Sequence, residues 1–164
     1  VLIALPSSGL HSNGFSLVRR ALDVEHRDLR QRVEELGCPL GEALLTPTRI
    51  YVKPVTALLE AVDVHSLAHI TGGGFHENIP RSVPEGMGVR IRRAELRVPP
   101  IFEFLMREGG IDEEQMFHVF NMGVGMTATV AEDDAEVALR VLRENGVEAR
   151  PIGSVVDEEG VVLC

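Results

Sequence analysis

Three consecutive glycines, Gly72-Gly73-Gly74, stand between an apolar run ending at Ile70 and a stretch, Phe75-His76-Glu77, that reads as the start of a helix. No other feature restricts the fold of this chain as much. Each glycine raises the backbone entropy lost on folding, so a run of them persists where the main chain turns sharply or passes close to something else. Two readings are open. The glycines serve a tight turn that needs positive φ angles, or they expose peptide N–H groups at the positive end of a helix, where a phosphate can bind. Two familiar phosphate loops are excluded by spacing. Counted from Gly72 and Gly74, a dinucleotide fingerprint needs a third glycine where Glu77 stands, and no Gly-Lys-Ser/Thr follows to make a P-loop. Thr71 adds a hydroxyl to the loop. Asn78 and Arg81, three residues apart, are expected on one helix face, with Arg81 able to grip a phosphate through two nitrogens.

Strands and helices surround this loop without strict alternation. Residues 1–5 read as a buried strand closed by Pro6-Ser7-Ser8-Gly9, and Ser12 or Asn13 can cap a helix starting near Phe15. Residues 25–37 are densely charged and read as a solvated helix ending at Gly37. Residues 44–52 are irregular because Pro47 interrupts them. Pro54 suits the first turn of a helix whose apolar face is Val55, Leu58, Leu59 and Val62, and residues 64–70 form the strand that delivers the chain to the glycines. Beyond the loop, residues 75–81 make a short helix and residues 87–92 alternate like an edge strand. Pro99-Pro100 opens a helix that Gly109-Gly110 ends, and Asp112 caps the next one. Residues 127–131 are a strand, residues 132–145 a helix, residues 147–157 a strand, and Glu158-Glu159-Gly160 a hairpin turn into a last strand. The class is α+β, a mixed sheet layered with helices.

At 164 residues the chain is one domain with room for a sizeable core. A net charge of −9 argues against sequence-independent binding to nucleic acid or to an anionic membrane surface, and no run is long enough to span a bilayer. It leaves room for a small anion, because local dipoles and a few arginines outweigh the overall sign. Cys38 and Cys164 lack metal-ligand spacing, which suits a reduced, cytoplasmic protein. His65 and His69 are four apart in a strand with no glutamate between them, a poorer metal pair than one surface and one half-buried histidine. No metal ligands are assigned. The chain starts in mid-strand style without an initiator methionine and stops in another strand-like run, so it is expected to be part of a longer protein.

The ordered blocks Pro6-Ser7-Ser8-Gly9-Leu10-His11-Ser12-Asn13-Gly14-Phe15, Pro47-Thr48-Arg49-Ile50-Tyr51-Val52-Lys53-Pro54, His69-Ile70-Thr71-Gly72-Gly73-Gly74-Phe75-His76-Glu77-Asn78-Ile79-Pro80-Arg81, Val98-Pro99-Pro100-Ile101-Phe102 and Phe120-Asn121-Met122-Gly123-Val124-Gly125-Met126 resemble the phosphoribosylformylglycinamidine cyclo-ligase (aminoimidazole ribonucleotide synthetase) family. The resemblance covers nearly the whole chain and only the C-terminal half of that enzyme. It implies an ATP-dependent ligase of purine biosynthesis that closes formylglycinamidine ribonucleotide to aminoimidazole ribonucleotide. ATP phosphorylates the formyl amide oxygen, and an amidine nitrogen then attacks to close the ring. The resemblance further implies an N-terminal domain that carries ATP, Mg²⁺ and most of a homodimer contact, with this half inactive without it. Selenophosphate synthetase, thiamine-phosphate kinase and a hydrogenase maturation factor share that two-domain plan. On this reading Thr71, Gly72, Gly73, Gly74 and Arg81 bind phosphate, while His11, Asn13, Asn78 and Asn121 line the substrate cleft. His69 is the candidate for proton transfer. Two other readings stand beside it: a phosphate-ligand binding module without catalysis, and a paralogous ATP-dependent enzyme of the same superfamily.

Overall fold

Side chains alternate along β1 (Leu2–Pro6), and that alternation sets the layering of the molecule. Leu2 and Ala4 enter the larger of two apolar clusters, and Ile3 and Leu5 the smaller one on the opposite face of the sheet. The computed structural model describes residues 1–164. After β1 the elements are α1 (Phe15–Ala21), β2 (Arg32–Val33), β3 (Cys38–Pro39), α2 (Leu40–Leu44), α3 (Val52–Ala61), β4 (Val64–His69), α4 (Gly74–Asn78), β5 (Gly88–Ile91), α5 (Pro100–Gly109), α6 (Glu113–Val119), β6 (Val124–Val130), α7 (Ala135–Glu144), β7 (Arg150–Val156) and β8 (Gly160–Leu163). Six strands form one sheet in the order β4-β6-β1-β7-β5-β8, antiparallel throughout except for the parallel β5–β8 pair. The expected mixed sheet layered with helices is what the chain forms.

Helices α1, α2, α4, α5 and α6 cover one face and bury Val18, Leu40, Phe75, Phe102 and Phe117 against it. Helices α3 and α7 cover the other through Leu58, Ala138 and Leu142. Full burial of an aliphatic or phenyl side chain contributes about 1.5–3 kcal/mol, so these apolar stripes hold the helices far more firmly than their short lengths would alone. No helix is long and apolar enough to cross a membrane.

Four local expectations are corrected. Residues 25–37 are not a helix: Asp23 takes a left-handed φ of 47°, and the carboxylate of Asp28 accepts the Arg30 N–H. That side-chain bond competes with helical pairing, and the segment becomes turns, a 3₁₀ turn and the small β2–β3 ladder. The short helix after the glycines stops at Asn78 and resumes as a 3₁₀ turn at Pro80–Ser82, because Pro80 cannot donate to a helical bond. Asn78 and Arg81 therefore do not share a face; the first is buried and the second exposed. Strand β5 is not an edge, since β8 pairs along its free side. Finally, Glu158-Glu159-Gly160 is not a hairpin turn. It carries the chain from β7 across the start of β5 to β8, and a side chain at Gly88 would collide with the carbonyl oxygens of Glu158 and Gly160.

Candidate functional site

Strands β1 and β4 are both antiparallel to β6, which lies between them, so the two run parallel and their C-terminal ends emerge on one edge of the sheet. The loop after β1 carries His11 and Asn13. The loop after β4 carries the three glycines. Both open onto short helices, and the start of β6 sits between them.

The glycines have different reasons to be there. Gly73 and Gly74 adopt left-handed φ angles of 91° and 57°, and a side chain at Gly74 would run into the Phe117 carbonyl where α4 packs on α6. Gly72 has neither constraint. It is exposed, and an added Cβ would meet only Asn13 Oδ1, at an ordinary 3.8 Å. Gly74 N–H bonds the Thr71 carbonyl at 3.1 Å, whereas the N–H groups of Gly72 and Gly73 make no hydrogen bond within the chain. Two glycines make the turn, and the first offers open backbone donors beside Asn13.

Asn78 holds this loop from inside. Its Nδ2 donates to the carbonyls of Gly74 (2.7 Å) and Gly72 (3.2 Å), and its Oδ1 accepts the Thr71 hydroxyl at 3.0 Å. These bonds turn the loop's carbonyls inward, which leaves the free N–H groups on the outside. Arg81 lies beyond, exposed, donating to Glu77 at 3.3 Å. The Glu77 side chain sits against Gly73 so closely that a Cβ there would lie 2.5 Å from its carboxylate. That negative group opposes an anion at Gly73 and favours approach over Gly72.

The second half of the site forms around Tyr51, the only tyrosine of the chain. Its hydroxyl donates to the Pro6 carbonyl at 2.8 Å, and its ring lies 6.2 Å from that of His11 and 6.4 Å from that of His69. Gly125 has to be glycine here, since a side chain would enter the space of the Tyr51 hydroxyl and the His11 ring. His11 is buried with a left-handed φ of 58°, and its Nε2 accepts the Ser8 N–H at 3.2 Å and the Arg49 N–H at 3.5 Å. Burial first, then the neighbouring His69 and Arg49, push its pKa down to about 4, so at neutral pH it is an uncharged acceptor. His69 is exposed at the end of β4, on open surface beside Tyr51.

The structure places Asn13 beside exposed Gly72 and puts exposed His69 at the end of the strand that leads to the glycines, while the Thr71 hydroxyl, expected to face a phosphate, is turned inward to Asn78. Asn78 and His11 are buried, and so is Asn121. Its Oδ1 accepts Ser7 Oγ at 3.0 Å and Gly123 N–H at 2.9 Å, and its Nδ2 donates to the Gly9 carbonyl at 2.9 Å. Its amide is consumed in joining the β1 loop to β6. His65 and His69, expected as one surface and one half-buried residue, are both exposed. Arg49, Tyr51 and Glu77 are additions that the sequence did not single out; the signal for the first two was their place in the irregular proline-bounded segment that folds over the β1 loop. The larger cavities lie elsewhere, one at His76, Arg93 and His118 and one at Val1, Met87 and Ser154, and the glycine face is open surface. No group of three or more His, Cys, Asp or Glu side chains is arranged to hold a metal ion.

A family model described as AIR synthase related protein, C-terminal domain, matches residues 1–163. The chain belongs to this family. It is 52% identical over 165 residues to the phosphoribosylformylglycinamidine cyclo-ligase of Shouchella clausii, and 49% identical over 164 residues to that of Bacillus cereus. Each alignment takes in 99% of this chain but only 48% and 47% of the relative, so the chain spans about half the length of the curated relatives it matches. Among solved structures it is similar in fold to a hydrogenase maturation protein HypE (TM-score 0.60, 21% identity, 93% of this chain and 44% of that one). It is also similar to the thiamine monophosphate kinase of Aquifex aeolicus (TM-score 0.55, 16% identity, 98% and 49%).

Proposed function

We propose that this chain is the substrate-cleft half of a cyclo-ligase that converts formylglycinamidine ribonucleotide to aminoimidazole ribonucleotide at the expense of ATP. The name shared by relatives about half identical to the chain supports the reaction. The observation that carries the site is Gly72: a glycine the fold does not require, with a free N–H, beside Asn13. In this reading the Gly72 N–H donates to a phosphate oxygen of the ribonucleotide, with the Asn13 amide beside it and Gly73, faced by Glu77, supplying the turn. Arg81 reaches the phosphate by leaving Glu77. The amidine nitrogen attacks the phosphorylated formyl carbon, the C–O bond breaks and inorganic phosphate leaves, and His69 accepts the proton that the nitrogen loses; Thr71, Asn78, His11 and Asn121 hold the two loops in register. In the same reading ATP and Mg²⁺ are held mainly by the half of the enzyme that this chain does not match. A cytoplasmic homodimer is the expected state of the complete enzyme.

The test joins this chain to the unmatched half of the Bacillus cereus relative and follows aminoimidazole ribonucleotide formation. Gly72→Ala is expected to raise KM about tenfold, the equivalent of ~1.4 kcal/mol of binding, with the melting temperature unchanged. A joined protein that makes no product, while the 164-residue chain alone binds the ribonucleotide in a calorimeter, would identify a binding module instead.

A further inference from the structure

The segment that folds over the β1 loop is inside out. Ser8 Oγ donates to the Pro47 carbonyl at 2.6 Å, Ser12 and Thr48 hydroxyls meet at 3.2 Å, and Arg49 N–H and Tyr51 hydroxyl reach His11 and Pro6. Polar groups thus tie the segment down from beneath. Its large apolar side chains point the other way: Leu45 is 78% exposed, Ile50 80% and Val52 72%. Val52 begins α3, and Leu59, seven residues on and 53% exposed, lies on the same stripe of that helix. Single exposed apolar residues are ordinary, but a run of them on a rigidly tethered segment marks a contact surface. The tethers exclude the alternative that the segment folds its apolar side chains back into the core, because Pro6, Ser8 and His11 already occupy its underside.

We infer that Ile50, Val52 and the outward stripe of α3 are the docking surface for the half of the cyclo-ligase relatives that this chain does not match. The inference rests on the reading of the chain as one half of that enzyme. Its occupant follows from what the chain covers. The relatives extend over about twice its length, and the chain covers 48% and 47% of them, so a second body of similar size is joined to this one in those proteins. The surface is also in the right place. Arg49 and Tyr51 alternate with Ile50 and Val52 along the same backbone, the first pair turned toward His11 and His69 and the second toward solvent. A body seated on Ile50 and Val52 would stand as a wall beside His69 and the open Gly72 N–H groups, and would exclude water from a face that is open in this chain.

The test uses the joined protein described above, with Ile50→Glu, Val52→Glu and the milder Ile50→Ser. In the 164-residue chain alone all three variants are expected to melt as the parent does, since these side chains face water. In the joined protein the glutamate variants are expected to lower the melting temperature by about 2–4 °C or more and kcat/KM by about tenfold or more, with Ile50→Ser between them and the parent. An unchanged melting temperature and unchanged kinetics in both glutamate variants would overturn the docking surface and leave the cyclo-ligase reading intact. A joined protein without activity whose melting still responds to Ile50→Glu would do the reverse. Sedimentation of the chain alone supplies the remaining outcome: a dimer abolished by Ile50→Glu assigns the surface to a second copy and also overturns the inference.

Discussion

Because His11 Nε2 accepts two backbone N–H groups, its single proton sits on Nδ1, a buried atom with no hydrogen-bond partner. Charging the ring would break both acceptor bonds and bury a cation near His69 and Arg49. Its pKa therefore falls from 6.5 to about 4. Between those values the unfolded chain binds a proton that the folded chain does not, so acidification through this window favours unfolding, and above pH 6.5 the residue contributes nothing to the pH dependence. The largest slope one such group supports is about 1.4 kcal/mol per pH unit. His76, lowered by burial and by His118, acts in the same direction as the pH falls below 6.5. Replacement His11→Asn, which tolerates the left-handed backbone, is expected to flatten urea-unfolding stability between pH 6.5 and 4.5 relative to the parent; an unaltered slope would assign the acid sensitivity elsewhere. The glycines give a second prediction at this scale. Gly74→Ala, with positive φ and the Phe117 carbonyl in the way, is expected to cost at least ~1–3 kcal/mol in thermal or urea unfolding, whereas Gly72→Ala leaves stability unchanged and weakens ligand binding only. The sequence made all three glycines equivalent because positive φ and close packing depend on what lies opposite. The same holds for Asn78 and Asn121. An asparagine amide suits a ligand and a carbonyl equally well, and only the fold shows that both are spent inside.

Elements whose punctuation is local were legible from the residues. Asp112 caps α6 by accepting the Gln115 N–H at 2.8 Å, Pro100 opens α5, and Gly110 closes it with a left-handed φ of 61°. Elements fixed by distant partners were not. β7 and β8 look like a hairpin because three residues separate them, yet β5 lies between them and β8 joins it in parallel. The charged segment after α1 looked like a solvated helix because residues 25–37 are densely charged up to Gly37, but it lacks an apolar stripe that packing could hold, and side-chain bonds to the backbone win. Gly88 makes the crossing possible, since β7's exit passes directly over it. Gly88→Ala is expected to lift β8 from the sheet and destabilise the chain by ~1–3 kcal/mol. Amide exchange should rise across Gly160–Leu163 while β1 and β6 keep their protection. Equal exchange along all six strands would mean that the crossing is not the local weak point.

Across the whole molecule, the two cores support different parts of the site. The larger cluster backs the glycine loop: the Phe120 ring lies against Gly14 at the start of α1, and its carbonyl lies under Gly74. The smaller cluster backs the Tyr51 and His69 side, for Tyr51 belongs to it together with Leu58 of the helix it precedes and Ile3 and Leu5 of β1. The α+β class could be read from the mixture of strand and helix patterns, but not which helix backs which loop, because that depends on the parity of side chains along β1. Cavities cut into the two faces should then have separable effects. Phe120→Ala removes ~3–5 kcal/mol and Leu58→Ala ~2–5 kcal/mol of stability. In the joined protein, assayed well below its melting temperature, Phe120→Ala is expected to act mainly on KM by loosening the glycine loop. Leu58→Ala is expected to act mainly on kcat by letting Tyr51, and with it His69, shift against β4. If both variants change KM and kcat in the same proportion, the sheet transmits the damage between its faces and the two halves of the site are mechanically one.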